Sequence, residues 1–214
     1  MMAVEIEGAA AEAGLEALGA ETAGRFAQYL DLLLKWNARL NLTAIREPRE
    51  IVQRHFIECI FAARHLPAEI CSLLDFGSGG GFPGIPIALC RPEIQVTLGE
   101  SQSKKAAFLR EAIRILGIGN AEVYNGRVES LNRKFDAVTL RAVDKMQEAC
   151  RAAIRDVAVG GYLILFLSEG AAQNVVSELD QIDWTKPILL PISTQRFLLV
   201  GRSSNDVPRG TPGG

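Results

Sequence analysis

"LLDFGSGGGFPGIPIA", residues 73–88, places five glycines and two prolines directly behind a short apolar run. Each glycine raises the entropic cost of ordering the chain, so stability alone does not favour such an accumulation. An apolar run that ends in a glycine-rich turn predicts a buried strand, followed by a loop whose bare backbone a ligand approaches closely. The stretch therefore predicts an open α/β fold and the position of its binding site.

Apolar runs and helical patterns alternate after this loop, which predicts a mostly parallel sheet with helices on both faces. Two final runs, Ile188–Ile192 and Phe197–Val200, are joined by only four residues, so we expect an antiparallel hairpin at the edge or end of the sheet. The other expected strands are Ser72–Phe76, Gln95–Glu100, Ala121–Asn125, Phe135–Leu140 and Tyr162–Leu167, and the expected helices are Ser103–Leu116, Lys145–Ala158 and Ala171–Ile182.

The residues before the loop have a helical pattern. Phe26, Leu30, Leu33 and Trp36 recur at three- and four-residue spacing, and Pro48 suits the first turn of a following helix. We divide the chain into an N-terminal helical segment (1–69) packed on the core, an α/β domain (70–202) and a flexible tail (203–214) that is polar and rich in Pro and Gly.

Composition limits the class of protein. The 214 residues are 48% hydrophobic with a net charge of −2, so the sequence is not that of a strongly basic nucleic-acid-binding domain. RNA, if bound, would meet a local patch or would bind with help from a larger partner. The apolar runs are too short to span a bilayer, and the scattered cysteines lack metal-ligand spacing. We expect a cytoplasmic monomer without metal or membrane partners.

Three nucleotide-binding motifs can be tested on the loop. A phosphate loop needs Lys and Ser or Thr after its last glycine, but Ile85 follows Gly84. A dinucleotide fingerprint fits only from Gly79 to Gly84, and it begins too far from the strand. The remaining pattern, Asp75-x-Gly77-x-Gly79-x-Gly81, resembles the first motif of Rossmann-like class I S-adenosylmethionine-dependent methyltransferases.

That resemblance implies a Rossmann-like fold with a mostly parallel seven-stranded sheet and an antiparallel strand near the end. It also implies that the loop lies behind the cofactor's amino-acid chain and that an acid ending the second strand binds the ribose. Glu100 stands at that position, and a carboxylate accepts hydrogen bonds from both ribose hydroxyls.

A narrower resemblance is to the ribosomal RNA small-subunit methyltransferase G family, also called glucose-inhibited division protein B. It rests on "GSGGGFPGIPIA", "NLTAIREPREIVQRHFIECI", "TLGESQSKKAAFLRE", "GRVE" and "TLRAV", and it covers roughly residues 25–170. The chain departs from the family pattern at Val143, at Glu169, which replaces a lysine, and at Glu58-Cys59, which replaces an acid-serine pair.

The resemblance implies a methyl transfer from S-adenosyl-L-methionine to N7 of a guanine in small-subunit (16S) ribosomal RNA, free or in the 30S particle. Arg141 and Arg127 would face the acceptor as the catalytic pair. The cofactor-binding residues would be Asp75, Gly77, Ser78, Gly79, Gly81, Phe82, Glu100, Ser101, Val128, Glu129 and Arg141.

Guanine N7 carries a free lone pair, so the reaction needs no general base, and positioning would supply most of the catalysis. A target guanine in a helix would have to leave its stack. Helix arginines Arg39, Arg46, Arg49 and Arg54 are candidates for one wall of the RNA site or for a solvated helix face. His55 is a candidate for a contact between the helix and the site, or for a hydrogen-bonded histidine on a half-buried helix face. Alternatives are another RNA or a small-molecule acceptor, an RNA-binding module with a decayed site and, more remotely, an oxidoreductase.

Overall fold

The computed structural model describes residues 1–142 and 145–204, and it opens with helices α1 (Met2–Glu12) and α2 (Ala20–Leu40). Helix α2 buries the apolar face that contains Phe26, Leu30 and Leu33, as the spacing predicts. Asn41 ends this helix in the left-handed conformation that asparagine tolerates.

A second helical stretch follows, in which a π-helical segment separates two α-helices. It consists of α3 (Pro48–Ile51), a π-helical segment (Val52–Ile57) and α4 (Glu58–His65). Pro48 occupies the first turn, as predicted, where its missing N–H has no partner to lose. The π segment is wider than an α-helix and occurs often at functional sites.

The sheet is built on five parallel strands in the order β3-β2-β1-β4-β5. They are β1 (Ser72–Phe76), β2 (Gln95–Glu100), β3 (Ala121–Asn125), β4 (Phe135–Arg141) and β5 (Val157–Ser168). The connecting helices are α5 (Gly84–Cys90), α6 (Ser103–Leu116), α7 (Met146–Ala153) and α8 (Glu169–Glu178). Strand β1 lies in the centre, so the loop that follows it opens at the topological switch point where open sheets bind ligands.

The far edge of the sheet confirms the expected antiparallel hairpin. Strand β7 (Ile188–Leu189) pairs with β8 (Arg196–Ser203), which runs antiparallel to β5. A further short strand, β6 (Ile182–Trp184), pairs with the other half of the same β8 edge. The eight strands therefore fill seven positions, as the class resemblance implies.

Two predicted helices are too long. The helix expected over 145–158 ends at Ala153, and β5 already begins at Val157. Val157 pairs with Phe135 but Tyr162 pairs with Ala137, so several residues bulge out between these pairs. Gly160, which follows the end of the expected helix, adopts φ +73° in this bulge. The helix expected over 171–182 ends at Glu178, because Ile182 joins the sheet.

Two hydrophobic clusters fill the space around the sheet. One is continuous from Ile6 on α1 and Phe26 on α2 to Leu73, Leu98 and Ile164 of the strands. The other packs α7 and α8 against the opposite face. The helical segment therefore shares its core with the sheet. Residues 205–214, which form most of the predicted tail, lie outside the described residues, as does Val143.

Candidate active site

The glycine loop is tied to the carboxyl end of the neighbouring strand. The N–H groups of Gly77 and Ser78 both donate to the carbonyl oxygen of Gly99 in β2, at 3.0 and 2.9 Å. Gly77, Gly79 and Gly81 have φ values of +77°, +55° and +88°, which only glycine adopts without strain. This geometry explains why alternate loop positions are glycine.

Asp75 lies beneath the loop. Its carboxylate accepts hydrogen bonds from the Gly84 N–H at 3.1 Å and the Thr139 hydroxyl at 3.1 Å, so it joins β1, β4 and the start of α5. The side chain is buried, and burial raises the pKa of Asp75 to about 6, against the opposing effect of its hydrogen bonds. Asp75 thus fixes the loop from below.

The glycines of the loop differ in what surrounds them. A Cβ on Gly81 would lie 2.5 Å from Ile85 Cδ1 and 2.6 Å from the Tyr29 hydroxyl, and one on Gly84 would lie 2.3 Å from Leu98 Cδ2. A Cβ on Gly79 would meet only the Gly77 carbonyl oxygen, at 3.8 Å. Gly81 and Gly84 are therefore required for packing, whereas Gly79 leaves an open space.

Glu100 adjoins that open space. Its carboxylate accepts from the Gly79 N–H at 3.0 Å through Oε2 and from the Gln102 N–H at 2.7 Å through Oε1. The residue is buried, and each carboxylate oxygen keeps a second lone pair for a further donor. A ribose with two adjacent hydroxyls suits this acceptor pair, so the residues present fit the nucleoside part of S-adenosylmethionine.

The segment after β3 lies beside Glu100. The Gly126 N–H donates to the Glu100 carbonyl oxygen at 3.1 Å, and Val128, in the turn that follows, is buried close to Gly99. The remaining predicted residues here, Arg127, Glu129 and Ser101, are exposed. The fold therefore brings these five positions to the same edge of the sheet as the loop.

Phe82 packs underneath the loop, against the helical segment. Its ring is 8% exposed and stacks on His55, with ring centroids 4.6 Å apart and an interplanar angle of 23°. Tyr29 also contacts it, at a centroid distance of 5.4 Å, and the Tyr29 hydroxyl donates to the Gly80 carbonyl oxygen. Phe82, which is predicted to bind the cofactor, is thus also the contact through which the helices support the loop.

Arg141 is held firmly at the end of β4. It donates to Glu58 Oε2 at 2.8 Å, to His55 Nδ1 at 3.1 Å and to the carbonyl oxygen of Arg54, and it contacts Cys59 Sγ at 2.8 Å. The guanidinium also lies 5.2 Å from the centre of the Phe166 ring. Most of these partners come from the π segment and the start of α4.

His55 is neutral, and its contacts define its tautomer. Arginine only donates, so Nδ1 accepts from Arg141 and the proton lies on Nε2, 2.8 Å from the Thr43 hydroxyl. Burial, together with the Arg141 charge, lowers the pKa of His55 to about 3. The ring therefore acts as a fixed hydrogen-bonding group between the 41–47 loop and Arg141.

Two further residues of this cluster were not singled out as site residues by the sequence. Glu58 was noted only as a departure from the family pattern, and Arg196 was not noted. In the structure Arg196 donates through Nε to Glu58 Oε1 at 2.7 Å and through Nη2 to the same oxygen. A buried glutamate in a helix gives no local pattern, so only the unusual Glu58-Cys59 pair could have drawn attention to it.

The four arginines predicted to line an RNA wall have different surroundings, and Arg46 lies in the 41–47 loop, not in a helix. Arg46 donates to the carbonyl oxygen of Asn37 at 2.8 Å, and Arg54 pairs with Glu50 at 2.9 Å. Arg49 lines a cavity of about 420 Å³, and Arg39 lines another of about 280 Å³ beside Trp36. The RNA wall stays a prediction.

Within residues 1–142 and 145–204, no group of three or more His, Cys, Asp or Glu side chains could hold a metal ion. The helices in those ranges include none with the length and apolar character needed to cross a membrane. The four cysteines are free, and burial raises the pKa of Cys59 to about 12, which leaves its thiol protonated and inert.

Comparison of the sequence with known proteins gives one family. The model of the family described as "GidB: rRNA small subunit methyltransferase G" matches residues 23–193. A protein named ribosomal RNA small subunit methyltransferase G from Xanthomonas euvesicatoria pv. vesicatoria is 45% identical over 160 residues, which are 73% of this chain and 71% of that protein. The protein of the same name from Stenotrophomonas maltophilia is 45% identical over 157 residues, 72% of this chain and 70% of that protein.

Solved structures show the same fold at low sequence identity. An O-methyltransferase from Bacillus cereus in complex with SAH superimposes with a TM-score of 0.59 at 17% identity, covering 82% of this chain and 91% of that one. The O-methyltransferase TomG from Streptomyces achromogenes in complex with SAM also gives 0.59, at 14% identity, covering 82% of this chain and 90% of that one. The predicted Rossmann-like methyltransferase fold is therefore confirmed.

Proposed function

The chain belongs to the rRNA small subunit methyltransferase G family, and from that premise we propose that it transfers a methyl group from S-adenosylmethionine to N7 of a guanine in small-subunit ribosomal RNA. We further propose that it acts in the cytoplasm as a monomer, on the 30S particle or its free 16S RNA. Family membership supports the ribosomal substrate, and the geometry of the glycine loop supports the cofactor.

The single observation that supports the cofactor most strongly is the juxtaposition of Gly79 and Glu100. A glycine with open space at its side-chain position lies next to a buried carboxylate whose two oxygens can each accept another hydrogen bond. The cofactor would supply an electrophilic methyl group on its sulfonium. Glu100 would hold the ribose, the Gly77–Gly81 backbone would lie against the amino-acid chain, and the turn containing Val128 and Glu129 would flank the adenine.

The chemistry requires positioning more than proton transfer. Neutral guanine carries a lone pair and no proton at N7, so no residue has to act as a base. The titratable groups around the loop suit this requirement: His55 is neutral, and the thiol of Cys59 is protonated because burial raises its pKa to about 12. What remains for the protein is to hold N7 in line with the methyl group.

The acceptor side would be formed by Arg141 and Arg127. Arg141 is restrained by contacts with the helical segment and stands at the carboxyl end of β4, whereas Arg127 is exposed beside Val128. A guanidinium offers paired donors for the guanine O6 edge or for an adjacent phosphate. The chain as a whole has a net charge of −2 and does not attract RNA. Most of the attraction for RNA would therefore come from these local cations.

The test uses methyl-labelled S-adenosylmethionine and small subunits from cells lacking their own enzyme of this family. We expect label in a single guanine of 16S RNA, identified as 7-methylguanine by chemical cleavage at the modified site. Free 16S RNA in a parallel reaction distinguishes the particle from the naked RNA as substrate. No incorporation into either RNA, or label on another atom or base, would contradict the proposal.

A further inference from the structure

One carboxylate in this protein is enclosed by two guanidinium groups. The side chain of Glu58 is 1% exposed, with Arg141 donating to one of its oxygens and Arg196 to the other. Burying an isolated carboxylate is costly, and a pair or triad of buried charges often stabilises a fold no better than apolar residues of the same volume. Stability alone therefore explains the presence of this cluster poorly.

The position of the cluster in the sheet suggests a different purpose. Arg141 ends β4 opposite Phe166, and Arg196 begins β8 opposite Ser168, so both cations stand at the carboxyl edge of the parallel strands. That edge is where the glycine loop opens and where open α/β sheets bind ligands. Glu58 reaches it from the helical segment, as the first residue of α4.

The charges do not cancel. One glutamate faces two arginines, so the cluster keeps a net positive charge of one at the edge that receives the substrate. The two cations also differ in access, because the Arg141 side chain is 11% exposed and that of Arg196 is 32% exposed. Arg141 thus lies inside and Arg196 lies at the rim, with the same carboxylate fixing the direction of both.

We propose that Glu58 is a positioning residue for methyl transfer: it orients Arg141 towards the reacting guanine and Arg196 towards a phosphate of the RNA strand that carries it. The inference rests on the proposed function, and it makes the N-terminal helical segment a part of the active site. The π segment contributes as well, since the Arg54 carbonyl oxygen accepts a hydrogen bond from Arg141. Glu58 itself touches neither substrate nor cofactor.

Glu58→Gln tests the proposal, because the amide keeps the shape and removes the charge that holds the two arginines. A misplaced positioning group costs about 100-fold in turnover, so we expect kcat on small subunits to fall by about that factor. The affinity for S-adenosylhomocysteine, measured by calorimetry, should change by less than about threefold. Glu58→Asp retains the charge and should recover about tenfold of the lost turnover.

The matched control is Glu21→Gln, which removes an exposed glutamate paired with Arg25 at 2.7 Å on α2. Its turnover should equal that of the unaltered protein. A Glu58→Gln enzyme that also turns over normally would overturn the proposal, and so would a loss that appears equally in cofactor affinity. A double-mutant cycle adds a second criterion: Glu58→Gln and Arg196→Gln should be strongly non-additive, whereas independent effects would contradict a shared role.

If Glu58→Gln does not fold, the same double-mutant cycle can be measured with Glu58→Asp and Arg196→Gln. A measurement without turnover separates this inference from the proposed function. In nuclear magnetic resonance spectra, the Nη2–H group of Arg141 and the Nε–H group of Arg196, which both donate to Glu58, should exchange slowly with water and do so faster in the Glu58 variants. Slow exchange without RNA methylation would leave the positioning geometry standing and refute the proposed reaction. Fast exchange in the unaltered protein would refute the positioning.

Discussion

The two halves of the candidate site are built in different ways. The loop half, residues 75–84, is made of backbone from one short stretch, and its glycines and its single buried acid are neighbours in the sequence. The cluster half is made of side chains from three distant segments, since Glu58 lies 83 residues from Arg141 and 138 residues from Arg196. The shape of the glycine loop thus depends mainly on local sequence, and the positioning of the acceptor depends on the assembled fold.

The largest expected effect would separate these halves. Gly79→Val places a branched side chain in the open space beside Glu100, so we expect a loss of more than about 4 kcal/mol in the binding free energy of S-adenosylhomocysteine, or 1000-fold. Calorimetric titration measures it. Gly117 is the matched control: it also has positive φ (+61°) and nothing within 4 Å of its side-chain position. Gly117→Val should strain the backbone equally and leave the affinity unchanged; an equal loss there would mean that strain alone explains Gly79.

A second variant tests whether the glycines of the loop have distinct roles. In Gly81→Ala the new methyl group would overlap Ile85 and the Tyr29 hydroxyl, at a residue with φ +88°. Overpacking and strain together should lower the free energy of unfolding by about 3 kcal/mol, which urea denaturation would measure. An alanine variant as stable as the unaltered protein would show that the loop can rearrange to accept a side chain at Gly81. The distinction between packing and binding glycines would then be wrong.

The halves should also respond to pH with opposite signs. Burial raises the pKa of Asp75 in the loop half to about 6, and burial lowers the pKa of His55 in the cluster half to about 3. Below pH 6.5 His55 binds a proton in the unfolded chain but not in the folded protein. The free energy of unfolding therefore decreases as the pH falls. The folded Asp75 keeps a proton that the unfolded acid releases, so it opposes this trend between about pH 4 and 6.

His55→Asn should remove the histidine's part of this pH dependence and leave that of Asp75. Relative to the unaltered protein, the variant should gain about 2 kcal/mol in its free energy of unfolding as the pH falls from 6.5 to 5, since each pKa unit corresponds to about 1.4 kcal/mol. Urea denaturation at a series of pH values measures the difference. A constant difference between the two proteins would mean that His55 titrates normally in the folded state.

The smallest expected effect concerns the contact between helix and loop. Tyr29→Phe removes the hydrogen bond to the Gly80 carbonyl oxygen and keeps the ring packed between Phe56 and Phe82. A buried neutral hydrogen bond contributes about 1 kcal/mol, so the free energy of unfolding should fall by that amount. Thermal unfolding with and without S-adenosylhomocysteine would show whether the loss is confined to stability, as expected, or extends to the cofactor.

The sequence predicted the part of the fold that local patterns determine. Strands β1 to β3 and helix α6 have the predicted bounds. In each of them the spacing of the apolar residues indicates the type of element, and polar or glycine residues mark where it ends. The helix predicted over 145–158 is too long. Gly160 does not resolve its end from sequence alone, because a glycine with positive φ ends a helix as readily as it forms a bulge.

The site divides in the same way. Gly79 and Glu100 could be proposed from spacing and resemblance, because both lie at strand ends of a known pattern. The role of Glu58 could not, because a glutamate in a helix is ordinarily exposed and becomes a buried partner of Arg141 only when β4 and β8 meet the helical segment. The internal partners of Asp75 were equally out of reach, since they include Thr139, 64 residues away.

The hydrogen bond from Tyr29 to Gly80 has a consequence for biogenesis. The tyrosine leaves the ribosome 51 residues ahead of the loop carbonyl that it restrains, so this contact forms only after the glycine loop has been synthesised. Helix α2 also packs on α5 and α6, which are synthesised after it, so the N-terminal helices complete their packing only when the glycine loop and these later helices have left the ribosome.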